Sequence, residues 1–183
     1  MKTPFLLACT LLLVIPLAPA APAAHAADKV HVATVPPRAA DVGTIDGVVK
    51  AYYEVVSGPP GQARDWARDR TLYVANVRFV MVTVGKDGKP SLNVMSHQEY
   101  VDGSDAMLRK GFFEKEIKRE TWQWGSLAQV RSSYETRHAP DGPVVGRGVN
   151  TLELVHDGTR WWVAAATWQD ENPALVLPAP LAP

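Results

Sequence analysis

The sequence predicts an α+β fold in which a strongly curved antiparallel sheet of about six strands wraps on three helices to form a cone. Three observations predict it. Helical and strand periodicities are interleaved in the first half of the chain, whereas the second half is four consecutive long alternating runs separated by short turn signals. The length, 183 residues, suits one core and leaves little room for a second. With 46% hydrophobic and 21% charged residues, the composition is that of a globular chain.

The elements follow in order. Lys2 precedes an apolar run over 5–17 and an Ala/Pro-rich stretch with small-x-small sites ending at Ala20 and Ala26. This layout predicts a cleavable signal peptide over 1–26 and a periplasmic or secreted product. The run is shorter than the ~20 residues that span a bilayer as a helix, so no stable membrane anchor is expected after processing. Cys9 is the only cysteine, and its removal with the signal excludes disulfides, thiolate metal sites and a cysteine nucleophile from the exported chain. Residues 27–43, with Pro36-Pro37, carry no useful periodicity and read as a linker.

Ile45, Val48, Val49, Tyr52 and Val56 recur at helical spacing and stop at Ser57-Gly58-Pro59-Pro60, which predicts a helix over 44–57. A shorter helix is expected over 62–73, its Arg and Asp residues forming a solvated face. Alternation over 77–84, turn chemistry at Lys86-Asp87-Gly88-Lys89 and a second run over 91–95 predict a hairpin. Ser96 with Glu99 three residues later has capping-box spacing for a third helix that reaches Leu108 and stops at Gly111. Strands are then expected over 112–124, 127–138, 147–156 and 161–169, the last pair joined at Asp157-Gly158. A Pro-rich tail fills 173–183.

The order of these elements resembles the nuclear transport factor 2-like (NTF2-like) superfamily and its SnoaL-like branch. The likeness is carried especially by Ser133-Tyr134-Glu135-Thr136-Arg137, by Arg147-Gly148-Val149-Asn150, and by Asp157-Gly158-Thr159-Arg160-Trp161-Trp162. It covers one domain over about 44–172. The resemblance implies the cone fold but no single chemistry, because the superfamily holds isomerases, dehydratases, cyclases and members without catalysis.

Charge and motifs exclude several classes. Nineteen basic against nineteen acidic residues give no net charge and no basic block, so nucleic acid is not an expected partner. No two of His31, His97, His138 and His156 stand at the spacing that puts two ligands on one helix face, and no metal or cofactor is called for. Gly146-Arg147-Gly148 lacks the third glycine and the helix N-terminus of a phosphate cradle, and no serine sits in a nucleophile elbow.

What remains is a pocket. A curved sheet that does not collapse fully onto its helices leaves a cavity. The expected ligand-binding set is Tyr52, Phe79, Met81, His97, Tyr100, Glu116, Tyr134, Asn150 and Trp168, with Glu114 as a further polar candidate on the strand that carries Glu116. Strand alternation puts Trp162 and Trp168 on one face and Trp161 on the other. A small apolar molecule is the expected partner, and apolar residues left on the outer sheet face predict a homodimer. Two functions stay open: an exported binding module, favoured by a small margin, or a SnoaL-like enzyme doing acid-base isomerisation, dehydration or cyclisation. No motif assigns a catalytic group, and His97 as base with Tyr52 as hydrogen-bond donor is the pairing chosen if chemistry occurs. In the superfamily's isomerase pattern an acid stands where this chain has Met81, so the resemblance implies that ketosteroid-type isomerisation is absent. A titratable residue deep in the cavity with an orienting partner would decide between the two functions.

Overall fold

The computed structural model describes residues 29–183, so the expected signal segment over 1–26 lies outside the described residues. The helices are α1 (Ala39–Val42), α2 (Ile45–Val56), α3 (Trp66–Arg70) and α4 (His97–Leu108). The strands are β1 (Tyr73–Val84), β2 (Pro90–Met95), β3 (Phe113–Trp124), β4 (Leu127–Arg137), β5 (Gly146–His156) and β6 (Trp161–Asp170). They form one sheet in the order β2-β1-β6-β5-β4-β3. One pairing departs from the expected antiparallel sheet, because β1 and β6 run parallel. No tight turn joins these two strands, so nothing local forces them to be antiparallel, and the sheet is mixed.

Local chemistry explains the helices. Thr44 Oγ1 accepts the Gly47 N–H at 3.0 Å and starts α2. The capping box at α4 is complete, with Ser96 Oγ accepting from Glu99 N and Glu99 Oε2 accepting from Ser96 N at 2.7 Å. α2 buries Val48, Val49, Ala51, Tyr53, Val55 and Val56, a wider stripe than its apolar periodicity suggests, and Tyr53 is inside as well as Tyr52.

The charged segment before β1 is not a solvated face. Only Trp66–Arg70 is helical, because Leu72 and Tyr73 already pack into the sheet. Arg64 is 6% exposed. Its guanidinium donates to the carbonyls of Val56 (2.7 Å), Gly58 (2.9 Å) and Leu108, tying the C-terminal ends of α2 and α4 together where both present unpaired carbonyls. Burial lowers its pKa. The linker is also more ordered than its composition suggests. α1 is anchored by Asp41, whose carboxylate takes two bonds from Arg68 at 2.8 and 2.9 Å and is held below the usual carboxylate range by them, and Val30 N–H bonds Asp102 of α4.

The sheet's inner face is read from its register. Glu114, Glu116, Tyr134, Ser132, Asn150, Leu152, Leu154, Trp168, Ala166 and Val163 lie along facing positions. A bulge in β6, where Glu153 faces Ala165 and Leu154 faces Val163, leaves Ala164 unpaired and reverses the alternation. Trp161 therefore joins Trp168 on the inner face and Trp162 turns outward, the reverse of what plain alternation predicts. Arg160 stacks its guanidinium 3.6 Å from the Trp162 ring.

The tail is part of the structure. Leu181, in a single turn of 3-10 helix (Ala179–Leu181), is 3% exposed, and its carbonyl accepts the Ser133 hydroxyl at 2.7 Å on the outer face of β4. Leu177 N–H bonds Glu171 at 2.7 Å. The chain's own tail thus occupies part of the face on which a second copy was expected. At the other end of that face Trp122, Trp124 and Leu127 stay exposed. No helix among the described residues is long and apolar enough to cross a membrane.

Candidate functional site

A cavity of about 440 Å³ lies between α2, α4 and the inner face of the sheet. Its apolar wall is aromatic: Phe79 of β1 stands 5.0 Å from Tyr100 and 6.3 Å from Trp168, with Tyr73 5.0 Å behind it, and Met81, Met107 and Phe112 continue the wall. Offset and edge contacts of this kind hold the rings rigid against collapse into the space. Its polar wall comprises Glu114, Asn150, Tyr52, Tyr134, Ser104, Thr136, Arg147 and, at the rim, Asp170 and Glu171.

Seven residues of the sequence-derived set line this space: Tyr52, Phe79, Met81, Tyr100, Tyr134, Asn150 and Trp168. His97 does not. It is buried behind Phe79 and Tyr73, with Nε2 2.7 Å from Asp69 Oδ2, and Asp69 in turn accepts the Tyr73 hydroxyl at 3.0 Å. As the first residue of α4 it faces the packed core, so it is out of reach of a ligand in the cavity. The His97-as-base expectation is corrected on that ground. Glu116 is also outside, facing a more open groove of about 780 Å³ lined by Lys50, Glu54, Lys115, Glu135 and Arg137 among others. Of the two β3 glutamates, Glu114 is the one that lines the cavity, and it lies on the wall shared by both spaces.

Glu114 is partly buried, and Asn150 Nδ2 at 3.2 Å is its one side-chain donor among the described residues. Desolvation by the cavity walls pushes its carboxyl up to about 7; the Asn150 bond opposes that shift and the Asp170 charge adds to it. Tyr52 donates to Asn150 Oδ1 at 3.3 Å, and burial raises its phenol well above the ordinary value, so it remains a protonated donor. Tyr134 donates to Asp170 Oδ1 at 2.5 Å. That contact depends on Gly148, where any Cβ would run into the Tyr134 ring and the Gln169 carbonyl. Met81 lines the β1 wall, and its thioether takes no proton at neutral pH, so the titratable group comes from β3 on the opposite side. Tyr73, Met107, Phe112 and Asp170 were not anticipated, because they come from segment ends whose facing is set by register and not by periodicity. Among the described residues, no cluster of three or more His, Cys, Asp or Glu is placed to hold a metal ion.

No family model and no curated protein matches the sequence. Solved structures do match. A protein of unknown function with a cystatin-like fold from Nostoc punctiforme superposes with TM-score 0.53 at 11% identity, covering 72% of this chain and 90% of that one. A candidate dehydratase of the NTF2-like family from Streptomyces avermitilis gives TM-score 0.50 at 14% identity over 70% and 95%. A chain of the yeast deubiquitinase Ubp3 and Bre5 cofactor complex gives TM-score 0.50 at 12% identity over 70% and 95%. The neighbours differ in what their names say they do, and none singles out the SnoaL-like branch. With six strands curved around α2 and α4, the chain has the NTF2-like α+β cone fold.

Proposed function

We propose that the cone binds a small, mainly apolar molecule carrying a carbonyl oxygen, and that Glu114 moves a proton on it. The observation that carries this reading is the Glu114 carboxyl at the wall of an aromatic cavity, oriented by Asn150. It is the titratable residue with an orienting partner that separates an enzyme from a plain binding module, and it shifts the balance towards the enzyme. A carboxyl titrating near neutrality is available both as base and as acid. In the base form it takes a proton from the carbon beside the carbonyl while the Tyr52 hydroxyl turns from Asn150 to the ligand oxygen. Return of the proton to a different carbon completes an isomerisation and restores the carboxylate.

The test is α-proton exchange. The protein over 27–183 is mixed with a panel of cyclic and acyclic apolar ketones in D2O, deuterium uptake is followed by NMR, and binding is followed by tryptophan fluorescence through Trp168. Exchange is expected with the wild type, falling by roughly 10²-fold or more in Glu114→Gln and less in Tyr52→Phe. Binding without exchange in the wild type would leave a binding module, and no binding across the panel would remove the ligand class. Export, inferred from Lys2 and the apolar run over 5–17, predicts an amino terminus at or near Ala27 by terminal sequencing of envelope or medium protein.

A further inference from the structure

We propose that Glu116, through Ser132 and Tyr53, is a positioning residue that locks the Asn150 amide with its N–H towards Glu114. The inference rests on the role given to Glu114 above. Its observation is a chain of hydrogen bonds running away from the cavity through the interface of α2 with β3, β4 and β5 and ending at Glu116 on the open groove. Asn150 Nδ2 reaches the Tyr53 oxygen at 3.2 Å, Tyr53 donates to Ser132 Oγ at 2.7 Å, and Ser132 donates to Glu116 Oε1 at 2.6 Å. Tyr53, Ser132 and Asn150 are all buried.

The direction of this chain follows from what each group can do. Glu116 pairs with Arg119 Nε at 3.2 Å, and a carboxylate only accepts. Ser132 must therefore give its one proton to Glu116, which leaves its oxygen as acceptor for Tyr53. Tyr53 has then spent its own proton, and its oxygen is an acceptor for Asn150. The only group Asn150 can offer it is the amide N–H2, and the second hydrogen of that group points at Glu114 Oε1. A flipped amide would set two oxygens against each other at Glu114 and leave the Tyr53 oxygen without a donor in a buried site.

Tyr52 supports the same orientation from the cavity side, but at 3.3 Å and with a hydroxyl that a ligand oxygen would draw away. The relay holds the amide from the side away from the aromatic cavity, through Tyr53 and the fully buried Ser132. It supplies the donor that favours the ionised form of Glu114, against the cavity's desolvation and the Asp170 charge. The titratable and charged groups around Glu114 are Tyr52 and Tyr53 of α2, Tyr100 of α4, Glu116 of β3, Tyr134 of β4 and Asp170 of β6; Arg147 and Glu171 line the same cavity, and Lys50, Glu54, Lys115, Glu135 and Arg137 line the groove on its other side. The tyrosines stay neutral across the range in which Glu114 titrates, because burial raises each phenol above its ordinary value.

The experiment is an NMR titration of the Glu114 side-chain carboxyl carbon in ligand-free protein, its signal being the one absent from Glu114→Gln. Ser132→Ala breaks the relay without changing charge, and Tyr53→Phe breaks it one link nearer with the ring retained. Both are expected to raise the Glu114 midpoint, Ser132→Ala by roughly one pH unit, the size set by losing a hydrogen bond to a charged group. Glu116→Ala is expected to move it the same way, whereas an effect of Glu116 charge alone would lower it. A midpoint unmoved in both neutral variants, or lowered in Glu116→Ala, overturns the assignment. Because no ligand is present, the result stands apart from the proton-exchange assay. A relay that holds in a protein that exchanges no ligand proton would sink the function and keep the positioning.

Discussion

Glu114→Gln keeps the shape and the Asn150 contact of the side chain and removes one titration, so it isolates what the cavity does to this carboxyl. The ordinary value for the group is 4.5 and the cavity lifts it to about 7. Between those limits the folded chain holds a proton that the unfolded chain has already released. Stability from this group is therefore fully present below about pH 4.5 and lost as pH rises through about 7. A gap of about 2.5 pH units corresponds to about 3 kcal/mol. Glutamine carries no such loss, so the variant is expected to match the wild type at pH 4 and to exceed it by about 3 kcal/mol at pH 8, roughly 10 °C in Tm for a domain of this size. Urea denaturation of both proteins at the two pH values measures this, with all other titrating groups common to the pair. An equal difference in midpoint at pH 4 and pH 8 would refute the claim that the cavity desolvates Glu114.

Three further outcomes test the surroundings of the site. Gly148→Ala is expected to cost roughly 1–3 kcal/mol by overpacking and to break the Tyr134–Asp170 bond, read as a lower urea midpoint with a shifted Tyr134 ring resonance. Asp69→Ala leaves His97 and Tyr73 without their shared buried partner, and a loss of roughly 3–5 kcal/mol is expected while α-proton exchange per folded molecule is unchanged; lost exchange in a folded variant would return His97 to the site. Removing residues 173–183 uncovers the outer face beside Ser133, costs about 2 kcal/mol for Leu181 alone, and is expected to strengthen self-association. Identical sedimentation profiles for the two forms would count against the outer face as a pairing surface.

Much of this protein is written locally. The caps at Thr44 and Ser96 and the turn at Asp157-Gly158 act over three or four residues, so they and the elements they bound are readable without a structure. The same is true of the aromatic lining. Phe79 and Met81 alternate on one strand, Tyr52 sits on the apolar stripe of α2, and a curved sheet must bring those faces together. Three features depend on tertiary structure. The parallel β1–β6 pair needs two strands far apart in sequence to meet without a turn to orient them. The facing of Trp161 and Trp162 turns on one unpaired residue, Ala164, because a period of two inverts at any bulge. The split between Glu114 and Glu116 is the sharpest case. Both lie on the inner face of β3, two residues apart and alike in sequence. What separates them is what β4 and β5 place opposite each: Asn150 beside an aromatic cavity for Glu114, and Ser132 beside an open groove for Glu116, whose other partner, Arg119, is a neighbour on β3 itself. A carboxyl's proton affinity is set by the dielectric and the donors around it, and those arrive from residues distant in the chain.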